Sequence, residues 1–99
     1  MTKSSVVLCE PVRTAIGTYG GALKGVAAPE LGAAVIKAAL ERAKLKGADL
    51  DTVVMGQVVQ AGAKMNPARQ AMRGAGMPVE VPAMTVNRVC GSGAQAIAS

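Results

Sequence analysis

The stretch from Val86 to Ser99 constrains the fold more than any other. A β-type run over residues 83–89 leads directly into Cys90, then Gly91-Ser92-Gly93, then small uncharged residues that read as a helix. A thiol placed where a strand turns into a helix sits among unpaired backbone N–H groups at the positive end of a dipole. Such a setting favours the thiolate, which is the nucleophilic form of a thiol. The same N–H groups can hold the oxyanion that forms when sulfur attacks a carbonyl. Gly91 and Gly93 clear side chains from around the sulfur, so a planar group can approach the backbone closely. Ser92 is placed to help cap the new helix through its hydroxyl. The competing reading is a core cysteine ahead of a buried helix, since free Cys is often a small buried hydrophobe. The whole chain lacks histidine, so a base for such a thiol must come from elsewhere.

The rest of the chain alternates between strand and helix patterns. Residues 6–10 read as a first strand, followed by a glycine-rich loop over residues 17–25. Pro29 suits the first position of a helix, and Glu30 follows at the favourable end of its dipole. Leu31, Ala34, Val35 and Ala38 then form one apolar face at the 3.6-residue period, opposite Glu30, Lys37, Glu41 and Lys44. Gly47 is the expected stop. Residues 52–59 form a β-branched run suited to a buried strand. Asn66-Pro67 is an N-cap and first-turn pair for a short helix that Gly74, Gly76 and Pro78 end. Met65, Met72, Met77 and Met84 are expected to be packing residues. The order β-α-β-α-β-α implies an α/β fold with a parallel sheet and right-handed crossovers. In such sheets ligands bind beyond the carboxyl ends of the strands, where Cys90 is expected to sit.

Charge and composition narrow the function classes. Eleven Lys/Arg against six Asp/Glu leave a net charge of +5, but the cations are scattered and Tyr19 is the sole aromatic residue. Without a basic run or aromatic interleaving, nucleic acid is not an expected partner. The apolar runs are too short to span a bilayer, so no membrane partner is expected either. With 51% hydrophobic residues and only 99 residues in all, a core of this size leaves apolar surface that needs covering. Cys9 falls in the run Val6-Val7-Leu8-Cys9, where a structural place in an inner strand is expected. There is no CxxC, and no metal site is expected. A working thiol fits a reducing compartment, and the expected localisation is cytoplasmic.

Asn87-Arg88-Val89-Cys90-Gly91-Ser92-Gly93-Ala94-Gln95-Ala96 resembles the nucleophile segment of the thiolases, the acyl-CoA C-acetyltransferases. Arg13-Thr14-Ala15-Ile16-Gly17, Glu30-Leu31-Gly32-Ala33, Met55-Gly56-Gln57-Val58 and Asn66-Pro67-Ala68-Arg69-Gln70 resemble further landmarks of that family, in the family's order. The resemblance runs from Val6 to Ser99. It implies a layered αβαβα architecture, of which this chain supplies a β-α-β-α-β-α part of the N-terminal half. The Cys90 helix would be central and would pack against a counterpart from the second half.

The resemblance also implies a reaction. Cys90 would accept an acyl group from a coenzyme A thioester, with its own backbone N–H donating to the oxyanion, and acetoacetyl-CoA would be formed from or cleaved to acetyl-CoA. Coenzyme A thioesters would be substrates, and no resident cofactor or metal is implied. The family's activating histidine, its second cysteine and an Asn-Glu segment belong to a C-terminal half and do not occur here. The chain is therefore expected to be an incomplete N-terminal thiolase domain, inactive alone, whose remainder lies on another chain or is missing, within a homo-oligomer. No residue is assigned to coenzyme A binding. Arg13 has a ligand-facing and a structural reading, and residues 66–70 have a capping and an interface reading. A longer-chain 3-ketoacyl-CoA thiolase, a ketoacyl synthase and a thiolase-like non-catalytic interaction subunit are the alternatives.

Overall fold

The computed structural model describes residues 3–99. Its elements are α1 (Ala28–Ala43), a 3-10 turn (Gly47–Asp49), β1 (Val53–Gly56), α2 (Pro67–Gly74), β2 (Ala83–Val86) and α3 (Ser92–Ala98). β1 and β2 pair in parallel, with Val53 opposite Ala83 and Gly56 opposite Val86. Backbone hydrogen bonds from Val53 N–H to the Pro82 carbonyl (3.0 Å) and from Gln57 N–H to the Val86 carbonyl (3.1 Å) close the ladder at its two ends. The α/β class and the parallel sheet follow the sequence pattern.

Side chains alternate across a strand, so Met55 and Gly56 face opposite sides of the sheet. On the Met55 side lie α1 and α2. A Cβ placed on Gly32 of α1 would stand 2.8 Å from the Ala71 Cβ and 3.3 Å from the Met55 Cε. On the Gly56 side lies α3, whose Ser92 backbone rests on the glycine. The result is a helix layer, a sheet layer and a second helix layer. The core occupies the first interface: Val53, Met72, Met77 and Val81 are buried, with Ile36, Leu40, Leu50 and Met55 packed against them. Met72 and Met77 thus fill the core as expected, whereas Met65 and Met84 are exposed.

The expected first strand does not form. Residues 3–18 carry no regular secondary structure, and Val6, Val7 and Leu8 are exposed. Leu8 and Cys9 border a cleft shared with Val53 and Val54, so the segment runs past the flank of β1 without hydrogen bonding to it. A strand is defined by its ladder, and an apolar run without a bonded neighbour stays extended but unpaired. Glu10, at φ 54°, breaks the extended backbone. The other two strands are also shorter than expected, ending at Gly56 and Val86.

Pro29 and Glu30 occupy the first turn of α1 as expected, but the helix stops before Gly47. Lys44 adopts the left-handed conformation (φ 56°, ψ 39°), and Leu45 N–H bonds back to the Leu40 carbonyl at 3.0 Å. This is the terminal geometry that glycine usually supplies. Gly47 serves another purpose, since a Cβ there would lie 2.8 Å from the Met77 Cγ and 3.1 Å from its Cα. Lys44→Gly is expected to raise stability by about 0.5–1 kcal/mol, because removing the side chain relieves the left-handed penalty but loosens the unfolded chain. A higher denaturant midpoint at unchanged slope would show it; an unchanged or lower midpoint would contradict it.

Candidate active site

The connection from β2 to α3 is a tight turn held by side chains. Val89 sits at its centre with φ 47°, a conformation that a β-branched residue adopts only at a cost. Strain of this kind is worth about 1–3 kcal/mol and persists where neighbours over-determine it. Here the Asn87 Oδ1 accepts from Val89 N–H at 2.9 Å. The Ser92 hydroxyl donates to the Val89 carbonyl at 2.6 Å and accepts from Arg88 N–H at 2.8 Å. Backbone bonds from Gly91 N–H to the Arg88 carbonyl (2.9 Å) and from Ser92 N–H to the Val89 carbonyl (3.1 Å) complete the turn. The Asn87 amide also donates to the Val58 carbonyl at 3.1 Å, which ties the turn to the loop after β1. The Arg88 guanidinium reaches forward to the Gln95 Oε1 at 2.7 Å.

This geometry places Cys90 in the turn itself. α3 begins at Ser92 with Gly91 as its flanking residue, so Cys90 precedes the helix instead of opening it. The reason is the left-handed Val89, which inserts a turn between strand and helix. The Cys90 thiol is free and exposed. Among the described residues its backbone N–H meets no hydrogen-bond acceptor. Ser92 does not cap α3; its hydroxyl bonds backward into the turn, and the residue is only 4% exposed. A hydroxyl so buried and so committed is no nucleophile. The turn lies hard against the sheet: a Cβ on Gly56 would stand 2.5 Å from both the Ser92 carbonyl carbon and its oxygen. Glycine at position 56 is what permits that approach.

The remaining sequence candidates fall elsewhere. Arg13 borders a cleft of about 440 Å³ with Thr14, Gly32, Met55, Gln57 and Thr85, and Cys90 is not among the residues that line it. The Arg13 guanidinium donates to the neighbouring Thr14 carbonyl at 2.9 Å, which is a local structural bond. Asn66 caps α2, accepting from Arg69 N–H at 3.3 Å. Its side chain also donates to the Ala83 carbonyl (3.0 Å) and accepts from the Thr85 hydroxyl (2.7 Å), so the cap is anchored to β2. Arg69 donates to the carbonyls of Val79 and Val81, and Gln70 to those of Ala63 and Met65. Residues 66–70 therefore brace α2, β2 and their loops. Cys9 is exposed and free, not buried in an inner strand.

Known proteins share this pattern. A family model described as "Thiolase, N-terminal domain" matches residues 6–99. An acetyl-CoA acetyltransferase of Cupriavidus necator is 56% identical over 94 residues, which cover 95% of this chain and 24% of that protein. Acetyl-CoA acetyltransferases of Pseudomonas aeruginosa and Escherichia coli are 54% and 51% identical, each over 92 residues and 23% of their own length. The chain thus spans about a quarter of the length of the curated relatives it matches.

Proposed function

Since the chain belongs to the thiolase family, matching its N-terminal domain, we propose that it is the nucleophile-bearing part of an acetyl-CoA acetyltransferase. The observation that carries this reading is Cys90 itself: an exposed free thiol in a braced turn beyond the carboxyl end of β2. Relatives more than half identical bear the same enzyme name.

The Cys90 sulfur, as thiolate, attacks the carbonyl carbon of acetyl-CoA. A carbon–sulfur bond to Cys90 forms, and the bond to the coenzyme A sulfur breaks, releasing coenzyme A thiolate. The negative oxygen of the tetrahedral intermediate is held in part by the Cys90 N–H, whose lack of an internal acceptor suits it to that task. In condensation, a second acetyl-CoA loses a proton from its methyl carbon, and the carbanion takes the acetyl group from Cys90. Acetoacetyl-CoA leaves and the thiolate is restored; thiolysis is the reverse. Deprotonating the Cys90 thiol, protonating the departing coenzyme A thiolate and taking the methyl proton need a base and an acid, and the sequence holds no histidine to serve. The thiolase resemblance implies that a C-terminal half supplying a histidine and a second cysteine is the partner of this chain. Assembly into a homo-oligomer would cover apolar side chains left in solvent, Val6, Leu8 and Ile97 among them. A reducing, cytoplasmic setting suits two free cysteines. Among the described residues no helix is long and apolar enough to cross a membrane.

The test is intact-mass spectrometry under denaturing conditions, after this chain, with the histidine-bearing remainder, is incubated with acetyl-CoA and quenched in acid. One acetyl group, mapped by peptide digestion to Cys90, is the expected result. An unmodified Cys90 under conditions of turnover, or an acetyl group on Cys9, would overturn the proposal. A preference for longer acyl chains in the same assay would favour a 3-ketoacyl-CoA thiolase over an acetyl-specific enzyme.

A further inference from the structure

Ser92 is a buried hydroxyl that the acyl-transfer chemistry does not use, yet both of its hydrogen bonds go to the residues just ahead of Cys90. It accepts from Arg88 N–H at 2.8 Å and donates to the Val89 carbonyl at 2.6 Å. These bonds straddle the one residue of the turn held in a left-handed conformation, Val89 at φ 47°. The Asn87 side chain grips the same residue from the other side through Val89 N–H. A β-branched residue resists this conformation, and once released it relaxes to negative φ. Such a change would redirect the next residue, which is Cys90. The Ser92 backbone is itself pressed onto Gly56, so the hydroxyl acts from a fixed base.

We infer that Ser92 is a positioning residue for Cys90: its hydroxyl clamps the strained Val89 and thereby fixes the direction of the thiol and of the Cys90 N–H. The inference rests on the acyl-transfer reading and adds a specific role to it. Ser92 touches no substrate; it acts through the backbone of Val89. It follows that the clamp is needed only because residue 89 is valine. Glycine adopts the left-handed conformation freely, so Val89→Gly makes the turn self-sufficient and the hydroxyl dispensable.

The experiment measures acetyl transfer by the complete enzyme carrying these residues, as wild type, Ser92→Ala, Val89→Gly and the double variant. Ser92→Ala is expected to lower kcat by about 10- to 100-fold with KM within about twofold, because the substrate still binds while the nucleophile is misdirected. The double variant is expected to match Val89→Gly alone within about threefold, since relieving the backbone removes what the clamp opposed. An equal loss on Ser92→Ala in both backgrounds would overturn the inference, as would a raised KM at unchanged kcat. If Ser92→Ala fails to fold, the double variant decides: a rate like that of Val89→Gly supports the clamp, and a much slower one overturns it. Failure of the underlying reading looks different, because the wild type itself would then leave Cys90 unacetylated.

Discussion

Replacing Cys90 by alanine in the complete enzyme should lower acetyl transfer on the order of 10⁴-fold or more, the scale of loss seen when a covalent nucleophile is removed. The fold should hardly notice. The side chain is exposed and makes no disulfide, and substitutions at such positions change stability by about 0.5 kcal/mol or less. Alanine keeps the backbone N–H, so whatever rate survives reports binding and oxyanion stabilisation without covalent catalysis. Steady-state turnover with acetoacetyl-CoA and coenzyme A, alongside a denaturant melt, checks both halves of the expectation. Residual turnover within tenfold of wild type would remove Cys90 from the nucleophile's role. A matching Cys9→Ala variant should retain full activity, because Cys9 lies in the extended N-terminal segment and lines clefts away from the turn.

Much of the fold was legible because its signals are local. Asn66-Pro67 marked the start of α2 since capping and a preset φ act within a single turn, and the Asn66 side chain indeed accepts from Arg69 N–H. The parallel pairing of two β-rich runs followed from the alternating order of strands and helices, but the face of α1 was misplaced: Gly32, Ile36 and Leu40 pack toward the core, while Ala34 of the expected apolar face is exposed. Residues 6–10 have the composition of a strand, yet strand formation is decided by what lies alongside, and no ladder forms there. Gly47 looked like the end of α1, but its missing side chain makes room for Met77, while Lys44 accepts the left-handed cap.

The site divides in the same way. Cys90 stood out from its neighbours, because a thiol between a strand and Gly-Ser-Gly is a local pattern. The clamp around it did not. Val89 reads as one more strand residue, and nothing in its chemistry announces a positive φ. Ser92 reads as a helix cap; only the turn geometry shows its hydroxyl bonding backward to Arg88 and Val89. A serine two residues after the cysteine is the one visible trace of that arrangement, and capping explains it equally well until the backbone is known. Asn66 to Gln70 were ambiguous between capping and interface roles, and their hydrogen bonds establish the cap.

Gly56 carries the second large effect, and it couples the sheet to the site. Gly56→Ala is expected to destabilise the protein by about 2–3 kcal/mol, the upper part of the range for inserting atoms into a packed interior. The new Cβ would lie 2.5 Å from the Ser92 carbonyl carbon and oxygen and 2.8 Å from its Cβ. Two of those neighbours are backbone atoms, so no rotamer change relieves the clash. Either β1 bends or the start of α3 lifts away, and Cys90 moves with it. Activity should therefore fall further than the fraction of unfolded protein explains, by about 10- to 100-fold in kcat at a temperature where the variant is fully folded. Gly93→Ala is the matched comparison on the helix side. A Cβ there meets nothing within 4 Å, and alanine is the better helix former by about 0.5–1 kcal/mol. Its stability should be unchanged or higher. If Gly56→Ala melts like wild type and turns over normally, α3 is not seated on β1 as described, and the turn that presents Cys90 takes its position from something other than the sheet.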